Sequence, residues 1–194
     1  MTKYSIKPLD SQISQEPSLI PRHPCVLNIV SPIGMGKSTL LIRLVTEDVG
    51  KFHQIIIFSP TFYLDPKWTN VLSIKGVLKK SPHEMAEETI NLVAPQREKR
   101  RFSGRFPADD VFTEYDEEVL KNLVESQRDY EEMYGKGGMP NVLVIFEDAA
   151  GLNLFTGKKG TAYIKLITTL RHYNISIWHA IQSYKLIPRT VRVN

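Results

Sequence analysis

The chain is predicted to be an α/β protein, a three-layer sandwich with a mainly parallel central sheet. Three observations predict this. A glycine-containing turn, Ser31-Pro-Ile-Gly-Met-Gly-Lys-Ser-Thr39, joins the apolar run Val26–Val30 to the helix-forming run Leu40–Val45. Three further short runs, Gln54–Phe58, Asn141–Phe146 and Ile175–Ile181, are almost uninterruptedly apolar, as strands buried on both faces are. Helical patterns alternate with these runs, which calls for right-handed crossovers and parallel pairing, with ligands at the carboxyl ends of the strands.

The bulk numbers narrow the class without deciding it. At 194 residues and 42% hydrophobic, the chain fits one domain with a full core. No apolar run approaches the ~20 residues that span a bilayer, so no membrane association is indicated. Met1-Thr-Lys-Tyr-Ser5 lacks an apolar leader core, which argues against secretion. Cys25 is the only cysteine; it excludes an intramolecular disulfide and a cysteine-based zinc site, and suits a reducing compartment. The net charge of +4 permits a polyanionic partner without demanding one.

Taken in order, residues 1–24 carry Pro8, Pro17, Pro21 and Pro24 and read as an N-terminal arm leading into a domain over 25–194. The first strand, the glycine-containing turn and a helix follow, then the strand Gln54–Phe58 closed by Ser59-Pro60. Residues 62–112 carry weaker signals: a short strand near 71–74, a short helix near 82–92, and a basic stretch over 97–106. The spacing of Tyr115, Val119, Leu120, Leu123, Val124, Gln127 and Tyr130 predicts a helix over 113–134, capped by Thr113 and ended by Gly135. A strand at 141–146 runs into Glu147 and Asp148, a helix is expected over 161–173, and the strand 175–181 ends at Gln182. There is no internal repeat.

The turn at 31–39 has the parts of a phosphate-binding loop in working order. Gly34 and Gly36 let the backbone curl so that N–H groups, Met35 included, point at phosphate oxygens, with a helix N-terminus behind them. Lys37 would reach the β- and γ-phosphates, and the Ser38 hydroxyl, followed by Thr39, would ligate Mg²⁺. Ser31 stands where the Gly-x-x-x-x-Gly-Lys-Ser/Thr pattern has its first glycine. The apolar strand ending in two acids is the second element of an ATP-hydrolysing site. Glu147 takes the magnesium position and Asp148 the water-activating position, the reverse of the usual order. Together the two elements predict a P-loop NTPase of the RecA/ASCE-like kind, with ATP and Mg²⁺ as cofactors. Asp148-Ala-Ala-Gly151 also matches a GTPase Asp-x-x-Gly element, but no Asn-Lys-x-Asp tetrapeptide accompanies it, which disfavours GTP.

The C-terminal segment adds a family resemblance. Leu170-Arg-His-Tyr-Asn-Ile-Ser-Ile-Trp-His-Ala-Ile-Gln-Ser183 and Ile187-Pro-Arg-Thr-Val-Arg-Val-Asn194, with Arg22-His-Pro24, Phe58-Ser-Pro60 and Phe146-Glu-Asp148, resemble viral genome-packaging ATPases of the FtsK/HerA superfamily. The nearest type is that of poxviruses, giant viruses and virophages; tailed-phage packaging motors share the core. The resemblance runs from about residue 20 to 194, without motif support over 62–140. It implies an ATP-driven motor that threads double-stranded DNA into a viral capsid as a homo-oligomeric ring, in contact with portal or vertex proteins. The setting would be the host-cell cytoplasm or the virus assembly site. Carried over, Arg171 would be an arginine finger entering a neighbouring subunit's site and Gln182 a sensor of the γ-phosphate or lytic water. Arg192 and Asn194 fall in a C-terminal motif without an assigned role. Such relatives continue past the position of Asn194, so an isolated ATPase domain lacking a nuclease or DNA-clamp region is expected.

Two basic stretches are candidates for DNA. Lys158 and Lys159, in a glycine-flanked loop after the acidic pair, occupy a place that faces the pore in ring translocases. Arg97, Lys99, Arg100, Arg101 and Arg105 form a denser cluster that reads more readily as a solvated loop, a reading that competes evenly with DNA contact at Lys158 and Lys159. A P-loop small-molecule kinase, a non-packaging DNA translocase and a non-hydrolysing nucleotide-binding scaffold stand as alternatives. Trp178, His172 and His179 read as structural.

Overall fold

The computed structural model describes residues 20–48, 51–68, 111–148, 152, 154 and 161–192. Its frame is a five-stranded, wholly parallel sheet: β1 (Val26–Val30), β2 (Gln54–Phe58), β3 (Val111–Phe112), β4 (Val142–Glu147) and β5 (Ile175–Ile181), in the order β1-β5-β4-β2-β3. The continuous apolar runs hold the middle. Every residue of β4 and β5 is buried, whereas β1, at an edge, is half-buried along most of its length. Fully burying one such Ile, Val or Phe contributes about 1.5–3 kcal/mol, so these central strands anchor the fold.

Alternation along the strands divides the core in two. Ile55, Ile57, Leu143, Ile145, Trp178 and Ala180 face α1 (Lys37–Asp48), which buries Leu41, Ile42, Leu44 and Val45 against them. Ile56, Phe58, Val144, Phe146, Ile177 and Ile181 face the opposite side. There α2 (Glu117–Tyr134) contributes Leu120 and Leu123, and α3 (Thr161–Thr169) contributes Tyr163, Leu166 and Ile167. Helices thus cover both faces, the expected three-layer α/β arrangement. A last short helix, α4 (Arg189–Arg192), places Val191 in the second core.

Several boundaries differ from the sequence-based expectation. Helix α2 starts at Glu117, because Asp116 rather than Thr113 is the cap: its extended backbone (φ −118°, ψ 115°) lets the carboxylate accept from the Glu118 N–H at 2.9 Å. Helix α3 stops at Thr169; residues 170–173 form turns, and Asn174, at φ 53°, redirects the chain into β5. Strand β4 runs one residue further than expected and takes in Glu147. Strand β3 was not anticipated; it pairs Val111 and Phe112 with Ile57 and Phe58. The expected strand at 71–74 and helix at 82–92 lie outside the described residues, as do the basic stretch over 97–106, Lys158 and Lys159.

Candidate functional site

The glycine-containing turn leaves β1 at the carboxyl edge of the sheet. Ser31 remains tied to that edge, its N–H donating to the Ile181 carbonyl at 3.2 Å. Among the described residues only Asp148 and Asn174 are non-glycine residues with positive φ, so Ser31 takes the first-glycine position without backbone strain. Gly34 (φ 79°) and Gly36 (φ 82°) do need their freedom, since an L side chain there costs about 1–2 kcal/mol. A Cβ at either position would meet no atom within 4 Å, so the requirement is conformational and the space beside the loop is open.

Helix α1 begins at Lys37 and has no acidic side chain in its first turn. Its N-terminal partial charge is therefore not answered by its own side chains, which suits an anion supplied from outside. Lys37 and Ser38 are half-buried; Gly34, Met35, Gly36 and Thr39 are exposed.

The acids arrive from β4. Glu147, the last strand residue, is 4% exposed and shares its face of the sheet with Leu143 and Ile145, the face that α1 covers. Its Oε2 accepts two buried hydrogen bonds, from Ser59 Oγ at 2.8 Å and from Trp68 Nε1 at 2.6 Å. Asp148 lies past the strand end at φ 49° and accepts from Gln182 Nε2 at 3.1 Å. A left-handed non-glycine residue is a local strain of about 1–3 kcal/mol, of the kind that collects where a side chain must be aimed.

Strand order brings these pieces together. Because β5 lies between β1 and β4, Gln182 emerges between the glycine-containing turn and the acidic pair. The loop, Gln182, Asp148 and Glu147 therefore succeed one another along one edge. Serine hydroxyl and carboxylate oxygens suit a hard divalent cation. Among the described residues no three His, Cys, Asp or Glu side chains converge on one point. That donor set fits magnesium held jointly by one or two carboxylates and a nucleotide's phosphates.

Arg171 lies elsewhere. It is exposed in the turn before β5, at the amino edge of the sheet, where it lines a cleft of about 620 Å³ with Arg22, Cys25, Leu170 and His172. The seven residues of β5 separate it from Gln182 by roughly 20 Å. It cannot reach its own chain's glycine-containing turn.

Beside that cleft the chain entering β1 is locked down. Ser176 Oγ sits 2.6 Å from His23 Nδ1 and accepts from the Cys25 N–H at 3.1 Å. Asp48, at the end of α1, is 2.6 Å from Lys51 Nζ and 3.8 Å from His23 Nε2. Burial lowers the His23 pKa more than Asp48 raises it. His179 is fully buried, 2.6 Å from the Tyr163 hydroxyl and stacked on Phe146, and burial pushes its pKa down to about 3. His179 and Trp178 are core residues, as their sequence context suggested; His172 is exposed on the cleft.

Sequence reasoning missed the bonds of Ser59 and Trp68 to Glu147. Ser59 carried a signal, as the first residue after a strand expected in the sheet. Trp68 carried only a faint one, an indole within the polar stretch Asp65-Pro-Lys-Trp-Thr69.

No family model matches the chain, and no curated protein matches it. Among solved structures it is similar to EssC (ATPases 2 and 3) from Geobacillus thermodenitrificans, at 12% identity and a TM-score of 0.41. That match covers 87% of this chain and 30% of the other, so the chain spans under a third of that structure's length. A likeness this distant carries no argument about activity. Among the described residues no helix is long and apolar enough to cross a membrane.

Proposed function

We propose that this chain is a Mg²⁺-dependent ATPase whose hydrolysis drives the movement of double-stranded DNA, as the motor of viral genome packaging. The observation that carries the ATPase reading is the succession along one sheet edge of an open phosphate loop, Gln182 and the Asp148–Glu147 pair, set by β5 lying between β1 and β4. The motor and packaging steps rest on the C-terminal sequence resemblance.

In this reading the N–H groups of residues 33–38 and the Lys37 ammonium bind the triphosphate, and the α1 N-terminus adds its dipole. Ser38 and Glu147 would hold Mg²⁺, which when bound neutralises charge on the β- and γ-phosphates. Asp148 orients the attacking water and receives its proton, and Gln182 holds the Asp148 carboxylate in place through their hydrogen bond. Arg171, remote from its own loop, serves a neighbouring subunit in a ring, stabilising charge on the transferred phosphoryl group. Lys158 and Lys159 would grip the DNA backbone through phosphates, making movement indifferent to base sequence. Portal or vertex proteins of a capsid would be the further partners.

Phosphate release from ATP, measured with and without double-stranded DNA, tests the proposal. Turnover that rises with DNA and vanishes in a folded Lys37→Ala protein is expected. Unchanged turnover in Lys37→Ala would remove the phosphate-loop assignment. ATP-dependent turnover that ignores DNA would leave an ATPase but not a DNA motor.

A further inference from the structure

Glu147 is held more firmly than a strand-end acid needs to be. Both hydrogen bonds fall on Oε2, while Oε1 has no hydrogen-bond partner among the described residues and is not among the fully buried atoms lacking one. Ser59 comes from the end of β2, the strand beside β4. Trp68 comes from the turn that follows, where Phe62 N–H donates to Ser59 O at 3.4 Å and Trp68 N–H to Asp65 O at 3.1 Å. The indole is 1% exposed and lies 5.3 Å from the Phe62 ring, so its direction is fixed by packing. An indole N–H is only ever a donor, and its bond to a carboxylate is about twice as strong as one between neutral groups.

From this arrangement we infer that Trp68 and Ser59 are positioning residues for Glu147: they occupy Oε2 and thereby present Oε1 as the oxygen that faces the metal and nucleotide. The inference rests on the nucleotide reading of the site and adds a control on its geometry. A purely structural pair would stabilise the fold without affecting metal dependence. A positioning pair sets how well the bound nucleotide recruits its cation, since outer partners of a metal-facing group typically govern about 10–100-fold in metal affinity.

The variants are Trp68→Phe, which keeps an aromatic ring and removes the donor, and Ser59→Ala. Binding of a fluorescent ATP analogue is titrated in EDTA and then across Mg²⁺ concentrations. Affinity in EDTA should match the parent, while the Mg²⁺ concentration giving half of the Mg²⁺-dependent gain should rise at least tenfold in each variant. Tryptophan emission gives a second readout. A non-hydrolysable ATP analogue with Mg²⁺ should shift the parent's emission, and the shift should be missing in Trp68→Phe and Glu147→Gln.

An unaltered Mg²⁺ requirement in the folded variants overturns the inference. A gain in turnover in Trp68→Phe also overturns it, because the pair would then be a restraint. Should Trp68→Phe fail to fold, Ser59→Ala carries the same binding test. If the parent binds no nucleotide analogue, the phosphate-loop reading itself falls, and the Mg²⁺ effect falls with it.

Discussion

The two edges of the sheet are built differently. At the carboxyl edge the candidate site side chains hold one another: Ser59 and Trp68 bond Glu147, and Gln182 bonds Asp148. At the amino edge Arg22 and Arg171 project into an open cleft and make no hydrogen bond or ion pair among the described residues. Immediately beneath them, by contrast, His23, Ser176, Asp48 and Lys51 are tied together. One edge is thus organised in advance by its own hydrogen bonds. The other is a rigid platform that offers exposed cations outward. Preorganised polar groups act on bound charge without reorganising, whereas an exposed arginine needs a partner surface to give it direction.

The test with the largest expected effect sets the edges against each other in separate subunits. Arg171→Ala should bind ATP like the parent but lose about a thousandfold or more in assembly-dependent hydrolysis. Mixing it with Lys37→Ala should restore part of the activity, because each variant keeps the edge that the other lacks. No recovery in verified mixed assemblies would mean that Arg171 is structural.

Within the carboxyl edge, Asp148→Asn should lower turnover about a hundredfold or more while leaving nucleotide affinity intact. Glu147→Gln should weaken Mg²⁺-dependent binding as well. The reverse pattern, read by calorimetry in Mg²⁺ and in EDTA, would exchange the two roles.

Acid should test the core between the edges. His179 is neutral when folded, with a pKa near 3 against about 6.5 unfolded. Its contribution is fully present above pH 6.5 and is lost progressively as pH falls from 6.5 towards 3. Lowering the pH from 7 to 5 should cost about 2 kcal/mol from this group, and His23, shifted in the same direction, adds to it. His179→Gln should flatten the dependence of melting temperature on pH; an equally steep curve would assign it to other groups.

The smallest effect is expected at the amino edge. Ser176→Ala removes the partner of both His23 Nδ1 and the Cys25 N–H, at about 1–2 kcal/mol, and should lower the melting temperature without changing nucleotide binding. A change in nucleotide affinity would show that the edges are coupled.

Local patterns were the legible part of this molecule. The glycine-containing turn is contiguous, so its positive-φ residues follow from Gly34 and Gly36 themselves, and the buried strands β4 and β5 announce themselves as unbroken apolar runs. The order of the strands was not legible, and it is the order that brings Gln182 beside Asp148. Pairings across long separations were also hidden: Trp68 meets Glu147 from 79 residues away, and Ser176 meets His23 from 153. Helix ends sat between, since Asp116 and Thr113 are both acceptable caps and only the backbone geometry at Asp116 decides between them.

Putting the glycine-containing turn and Arg171 on opposite edges also bears on symmetry. If Arg171 serves a neighbour, each subunit carries one donating face and one receiving face, and association is head-to-tail rather than two-fold. A dimer of this kind contains one complete site, and an open row of n subunits contains n − 1. Only closure of the ring completes the last site. Activity per subunit should therefore climb with assembly size and step upward on closure, so that the count of complete sites itself reports whether the row has become a circle.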